Sequence, residues 1–150
     1  MAARLSLLQS DLSLRMLGRG GYRWSDGRAI FASGSPFPPV DIGGRRFVPN
    51  QGKNVYIFAA MAMALFATEA KRVTEDMFLT AAHAIAEQVS EESLAAGLIY
   101  PPRERILNAS LHVAERVATC IFERGLARVP RPDEVGALIR AHAYRPIYPT

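Results

Sequence analysis

Few side chains in this sequence are placed to do chemistry. Gly52-Lys53-Asn54 follows the loop Pro49-Asn50-Gln51 and leads straight into an apolar run. If that run is a helix, its first turn offers N–H groups and positive potential to an anion. The Asn54 carboxamide can donate to a carboxylate and accept from a hydroxyl. The same Asn could simply cap the helix, and the residue types leave both readings open. His83, His112 and His142 are far apart and form no HExxH-type pair, so helix surfaces or satisfied core positions are expected for them. Glu75-Asp76 and Glu91-Glu92 have the look of acid/base pairs, but each sits where a helix should begin and acidic side chains suit the dipole. Cys120 is the single cysteine. It can form no internal disulfide and shares no zinc spacing with histidine. On the apolar side of an expected helix it reads as a buried thiol, and a reducing, cytoplasmic setting fits it best. Gly18-Arg19-Gly20-Gly21 is not a GxGxxG fingerprint, so no phosphate cradle is assigned there.

The elements that must position these residues follow from periodicity. Ala29-Ile30-Phe31-Ala32, stopped by Gly34-Ser35-Pro36, predicts a short buried strand. Val40-Asp41-Ile42 and Arg46-Phe47-Val48 around Gly43-Gly44 predict a small hairpin. Residues 55–70 are apolar on nearly every face, which predicts a helix buried on all sides. Thr74 is the expected N-cap of a second helix carrying Met77, Phe78, Ala81, Ala82, Ile85 and Val89. Ser90-Glu91-Glu92 opens a short helix that Gly97 ends. After Pro101-Pro102 comes a helix of about five turns, with the stripe Ile106, Leu107, Leu111, Val113, Val117, Ala118 and Ile121 and Gly125 as its stop. Asp133 is the expected N-cap of a last helix ending before Pro146.

Composition bounds the function classes. The chain has 150 residues, 49% hydrophobic and 21% charged, a balance that supports a packed domain and not disorder. The net charge is +4, but the basic residues are scattered and no run interleaves aromatics to stack on bases, so nucleic-acid binding is not expected. The longest apolar run, Val55 to Ala67, is shorter than the roughly 20 residues needed to span a bilayer, so no membrane segment is expected. Gln9, Asp11 and Arg15 interrupt the N-terminal segment, which argues against a signal peptide.

Four stretches resemble malic enzymes, the NAD(P)-dependent oxidative decarboxylases of malate. They are Ser25-Asp26-Gly27-Arg28-Ala29-Ile30-Phe31-Ala32-Ser33-Gly34-Ser35-Pro36-Phe37, Asn50-Gln51-Gly52-Lys53-Asn54-Val55-Tyr56-Ile57-Phe58, Ala86-Glu87-Gln88-Val89-Ser90-Glu91-Glu92 and Leu98-Ile99-Tyr100-Pro101-Pro102. Order and spacing match as well, from Tyr22 to the C-terminus. The resemblance implies an α/β fold: the C-terminal piece of a Rossmann-type NAD(P)-binding domain, here mostly helical with a short strand and a small hairpin. It implies NAD or NADP and Mg²⁺ or Mn²⁺ as cofactors of the intact enzyme, with malate as substrate and a homo-oligomeric state. The family has a Gln-Gly-Asn-Asn motif whose amides contact malate beside the nicotinamide pocket. The substrate role therefore carries over to Asn54, and Gly52, Lys53 and Asn54 become the cofactor-bordering residues. Lys53 departs from the motif: it can attract a carboxylate but cannot accept a hydrogen bond. Gly34, Ser35 and Pro36 are scaffold by the same resemblance.

The family's general base, general acid, metal-binding carboxylates, malate-clamping Arg and Gly-rich nucleotide loop lie upstream of the matching stretch. No catalytic residue and no metal ligand is therefore assigned in this chain, and by itself it is expected to be inactive. The alternatives are a piece that complements a separate upstream part, or a non-catalytic helical binding module. Residues 1–21 form a separate, non-family segment in this reading, with residues 22–150 the malic-enzyme part. Codons can be chosen for residues 8–21 so that reading one base later restores the family's Asn-Pro-Thr…Glu-Cys…Glu-Glu-Ala string, which suggests a frameshift just before Tyr22.

Overall fold

A computed structural model describes residues 20–143. Residues 1–19 lie outside it, and with them most of the expected non-family segment; so does the helix stop expected at Pro146. Residues 20–24 are helical. Strands β1 (Ala32–Ser33), β2 (Val40–Ile42), β3 (Arg45–Phe47) and β4 (Asn50–Gln51) follow, then helices α1 (Val55–Thr68), α2 (Glu75–Ala86), α3 (Glu91–Ala95), α4 (Ile106–Glu123) and α5 (Val135–His142), with a 3₁₀ turn at Arg103–Arg105 ahead of α4. Two compact units result: Met1–Lys53 with Val89–Pro101, and Asn54–Gln88 with Pro102–Thr150. No helix among the described residues is long and apolar enough to cross a membrane.

The first unit carries all four strands. The expected strand over 29–32 shifts to Ala32–Ser33, where it pairs in parallel with β4, Ala32 opposite Asn50 and Ser33 opposite Gln51. Sequence periodicity could not reveal β4, because two polar residues carry no alternation. β2 and β3 form the expected antiparallel hairpin one residue early, Val40 opposite Phe47. Gly43 and Gly44 both have positive φ, 58° and 76°, the two-residue turn whose twist matches the flanking strands. The helical turn over 20–24 ends in left-handed Asp26 and Gly27. There the Gly27 N–H donates to the Tyr22 carbonyl at 2.7 Å, and Ser25 Oγ accepts from Ala29 N–H at 2.9 Å. Tyr22 stacks on Phe47 with centroids 4.7 Å apart.

The second unit is helical and α4 is its centre. Val113, Ala114, Val117, Ala118 and Ile121 are fully buried, as are Ala60 and Ala64 of α1, Met77, Ala81 and Ala84 of α2, and nearly Ile139 of α5. Burying each of the larger of these side chains contributes about 1.5–3 kcal/mol, so the α4 stripe is the main stabilising feature of the unit. Leu107, expected on that stripe, is exposed near the start of the helix. α1 stops two residues short of the expected end, because Glu69 turns left-handed with φ 47° and Ala70 N–H returns to Leu65 O. Its expected burial on all sides is corrected: Val55, Phe58 and Phe66 are exposed, Phe66 to 75%. An apolar stripe remains where the sequence has no polar residue to offer solvent. α2 begins after Thr74, whose backbone has the extended N-cap conformation but whose hydroxyl makes no cap bond. It ends at Ala86, leaving Val89 outside it. Glu134, one residue past the expected Asp133, is the N-cap of α5.

Candidate functional site

The most constrained polar residue before the Gly52-Lys53-Asn54 run is Asn50. It is 3% exposed. Its Nδ2 donates to Phe31 O at 3.2 Å and to Gly97 O at 2.8 Å, and its Oδ1 accepts from Ile99 N–H at 2.6 Å. One carboxamide thus ties β4 to the start of β1 and to the turn after α3. The next residues are held as firmly. Gln51 Nε2 donates to Gly34 O at 3.1 Å, and Gly52 N–H donates to Ser33 O at 3.0 Å. A Cβ on Gly52 would lie 3.2 Å from Cε2, Cζ and Oη of Tyr100. Only glycine lets the chain pass that ring without displacing it.

Lys53, half-buried, closes the first unit, and exposed Asn54 opens the second. The Asn54 carbonyl starts α1, accepting from Ile57 N–H at 3.1 Å and Phe58 N–H at 2.8 Å. Its own backbone is already helical, φ −55° and ψ −27°, and its side chain makes no cap hydrogen bond. A side-chain cap needs extended backbone so that the oxygen can reach back to the N–H groups of the first turn. Of the two readings that the sequence left open, side-chain capping is therefore the one the geometry lacks. Asn54 is left with its carboxamide exposed at the start of a 14-residue helix.

The remaining candidates resolve as structural. Glu91 and Glu92 lie in the first turn of α3, capped by Ser90 Oγ accepting from Ser93 N–H at 3.2 Å. Glu75 and Asp76 lie in the first turn of α2, and Asp76 pairs with Arg124 at 2.8 Å. His112 meets Glu87 at 3.1 Å, and His142 Nδ1 lies 2.9 Å from Leu138 O on its own helix. His83 is exposed in the last turn of α2. Cys120, expected buried, is half-buried. Among the described residues no group of three or more His, Cys, Asp or Glu stands close enough to hold a metal ion. The donor set among the described residues does not fit a resident divalent cation.

Sequence reasoning passed over Asn50 as a loop residue. The available signal was a hydrogen-bonding Asn directly after Val48-Pro49, between two apolar segments, but which partners it finds depends on residues 19 and 47 positions away.

A short parallel strand pair, a hairpin and several helices are compatible with a piece of a Rossmann-type nucleotide-binding domain. Residues 18–122 match the family described as malic enzyme, NAD binding domain. The chain is 45% identical over 127 residues to an NADP-dependent malic enzyme of Dictyostelium discoideum, a match covering 85% of this chain and 23% of that protein. It is 48% identical over 128 residues to one from Populus trichocarpa, covering 85% and 22%. It is 45% identical over 145 residues to the chloroplastic NADP-dependent malic enzyme 4 of Arabidopsis thaliana, covering 96% and 22%. A match of that length takes in part of residues 1–21. The chain belongs to the malic enzyme family and corresponds to part of its NAD-binding domain. It spans 22–23% of the length of these relatives.

Proposed function

We propose that this chain supplies the C-terminal closing part of the nucleotide-binding domain of a malic enzyme. The whole protein would oxidatively decarboxylate malate to pyruvate and CO₂ with reduction of NAD or NADP, assisted by Mg²⁺ or Mn²⁺ and working as a homo-oligomer. The names of the relatives favour NADP over NAD. A half-buried, unpaired Cys120 suits a reducing compartment, and the cytoplasm is our assignment.

The observation that carries this reading is Asn54 itself: its backbone is fixed in the first turn of α1 while its exposed carboxamide makes no cap bond. A fixed backbone holding an uncommitted amide is how a binding group is kept in place before its ligand arrives. In this role Asn54 donates its Nδ2–H to a carboxylate or hydroxyl oxygen of malate. Lys53 adds a positive charge beside it without accepting a hydrogen bond. Gly52 gives the backbone its close approach to Tyr100 at the end of β4. A nicotinamide cofactor bound by the whole enzyme would supply a hydride acceptor for malate, and Gly52, Lys53 and Asn54 are the residues of this chain that would border it. No residue described here is assigned to proton transfer, so the isolated chain is inactive in this reading.

The exposed Val55, Phe58 and Phe66 stripe favours a piece that needs covering over a self-sufficient binding module. The test is complementation. The purified chain is assayed for malate-dependent NADP reduction with Mg²⁺, alone and mixed with the upstream part of a malic enzyme. No turnover alone and turnover on mixing is expected. Activity that copurifies with the chain by itself overturns the reading.

A further inference from the structure

Independently of the malate reading, we infer that the first unit holds a second ligand site, a cleft that takes a phosphate monoester with an apolar or aromatic body. The cleft encloses about 440 Å³, within the size range of small-molecule sites, roughly 300–1,000 Å³. Arg28, Arg45 and Arg46 line it and no carboxylate does. None of the three is ion-paired among the described residues, whose ion pairs involve His112, Arg116, Arg124 and Arg140.

Two of these side chains are positioned by their surroundings. Arg28 Nε donates to Ser25 O at 2.9 Å, which fixes its stem. The Arg45 guanidinium lies over the Phe47 ring, 5.2 Å from its centroid. Its Nη1 would stand 3.4 Å from a Cβ placed on Gly27, the residue next to Arg28. Three guanidiniums lining one cleft with no carboxylate among them make it electropositive, which favours a dianion. The cross-strand neighbour of Arg46 is Asp41, and neither it nor Asp26 lines the cleft. Guanidinium forks match phosphate oxygens in pairs, and three of them exceed what a single monocarboxylate can neutralise. Its apolar lining includes Ile30, Val48 and Leu94, the last two 36% and 53% exposed. An apolar ligand body has surface to bury there, which free phosphate would leave unused.

The test is titration of the full chain at low ionic strength, followed by calorimetry and by chemical shifts of residues 27–30 and 45–47. The probes are phenyl phosphate, inorganic phosphate and phthalate. Phenyl phosphate is expected to bind about tenfold or more tightly than inorganic phosphate, with shifts confined to these residues. Arg28→Gln with Arg45→Gln should weaken it by about tenfold or more, whereas Arg103→Gln, on the 3₁₀ turn of the other unit, should leave it unchanged. Ala96→Glu places a carboxylate in the lining without touching any arginine and should weaken binding too. It therefore decides the matter if the double variant does not fold. Equal affinity for phenyl and inorganic phosphate overturns the site. So does equal loss in Arg103→Gln, and tighter binding of phthalate overturns the phosphate assignment.

Discussion

Replacing Asn50 by Ala removes the three hydrogen bonds that join β4 to β1 and to residues 97–99. The loss is unequal among the partners. Phe31 O keeps a bond, because the backbone N–H of residue 50 still donates to it at 2.8 Å. Gly97 O and Ile99 N–H lose the side chain that satisfied them. Leaving a buried polar group unpaired costs about 1–3 kcal/mol, and both residues are half-buried, so water recovers part of this. The expected destabilisation of the first unit is about 2–4 kcal/mol. Urea unfolding followed by circular dichroism measures it, and amide exchange at Ile99 localises it. Asn50→Asp should be no milder at neutral pH, since it keeps the acceptor for Ile99 but turns a carboxylate oxygen toward Gly97 O. Gln51→Ala, which loses one exposed bond to Gly34 O, should cost at most about 0.5 kcal/mol. A loss below about 1 kcal/mol in Asn50→Ala, with Ile99 still protected, would refute the idea that this carboxamide ties β4 to β1 and to residues 97–99.

Three further outcomes are expected. In a full-length malic enzyme carrying this segment, Asn54→Ala should lower kcat/KM for malate by about tenfold or more, with stability unchanged because no cap bond is lost; a fall in melting temperature with unchanged kinetics would assign Asn54 a structural role instead. Burial pushes the Tyr22 phenol above its ordinary range, so the folded state favours the neutral form. Its contribution to stability is complete below the unfolded value of about 10 and is lost as pH rises through the higher folded one. Denaturant midpoints should therefore fall on the alkaline side, and Tyr22→Phe should flatten that decline. Phe58→Gln with Leu79→Gln, at positions 60% and 61% exposed, should change unfolding free energy by no more than about 0.5 kcal/mol per site, reduce self-association in light scattering and weaken complementation by the upstream part.

The sequence determined a good deal by itself. Gly43-Gly44 specified its turn because positive φ at two successive residues is costly for other side chains. The α4 stripe was legible from spacing alone, since Val113, Val117 and Ile121 recur where one helical face must. Gly97 and Gly125 ended their helices as expected, with φ 81° and 65°. The family was legible because long strings such as Gly27 to Phe37 are kept in order and spacing. What the sequence did not determine was pairing and exposure. β4 consists of Asn50 and Gln51, and nothing in two polar residues announces a strand until Phe31 and Ser33 offer their carbonyls. The apolar faces of α1 look alike in sequence, yet Ala60 and Ala64 are fully buried while Phe58 and Phe66 face outward. Hydrophobicity says that a face must be covered, but only the positions of the neighbouring helices decide which face is. The two readings of Asn54 were likewise separated only by its backbone: helical φ and ψ leave its side chain without the cap bond an extended backbone would have allowed.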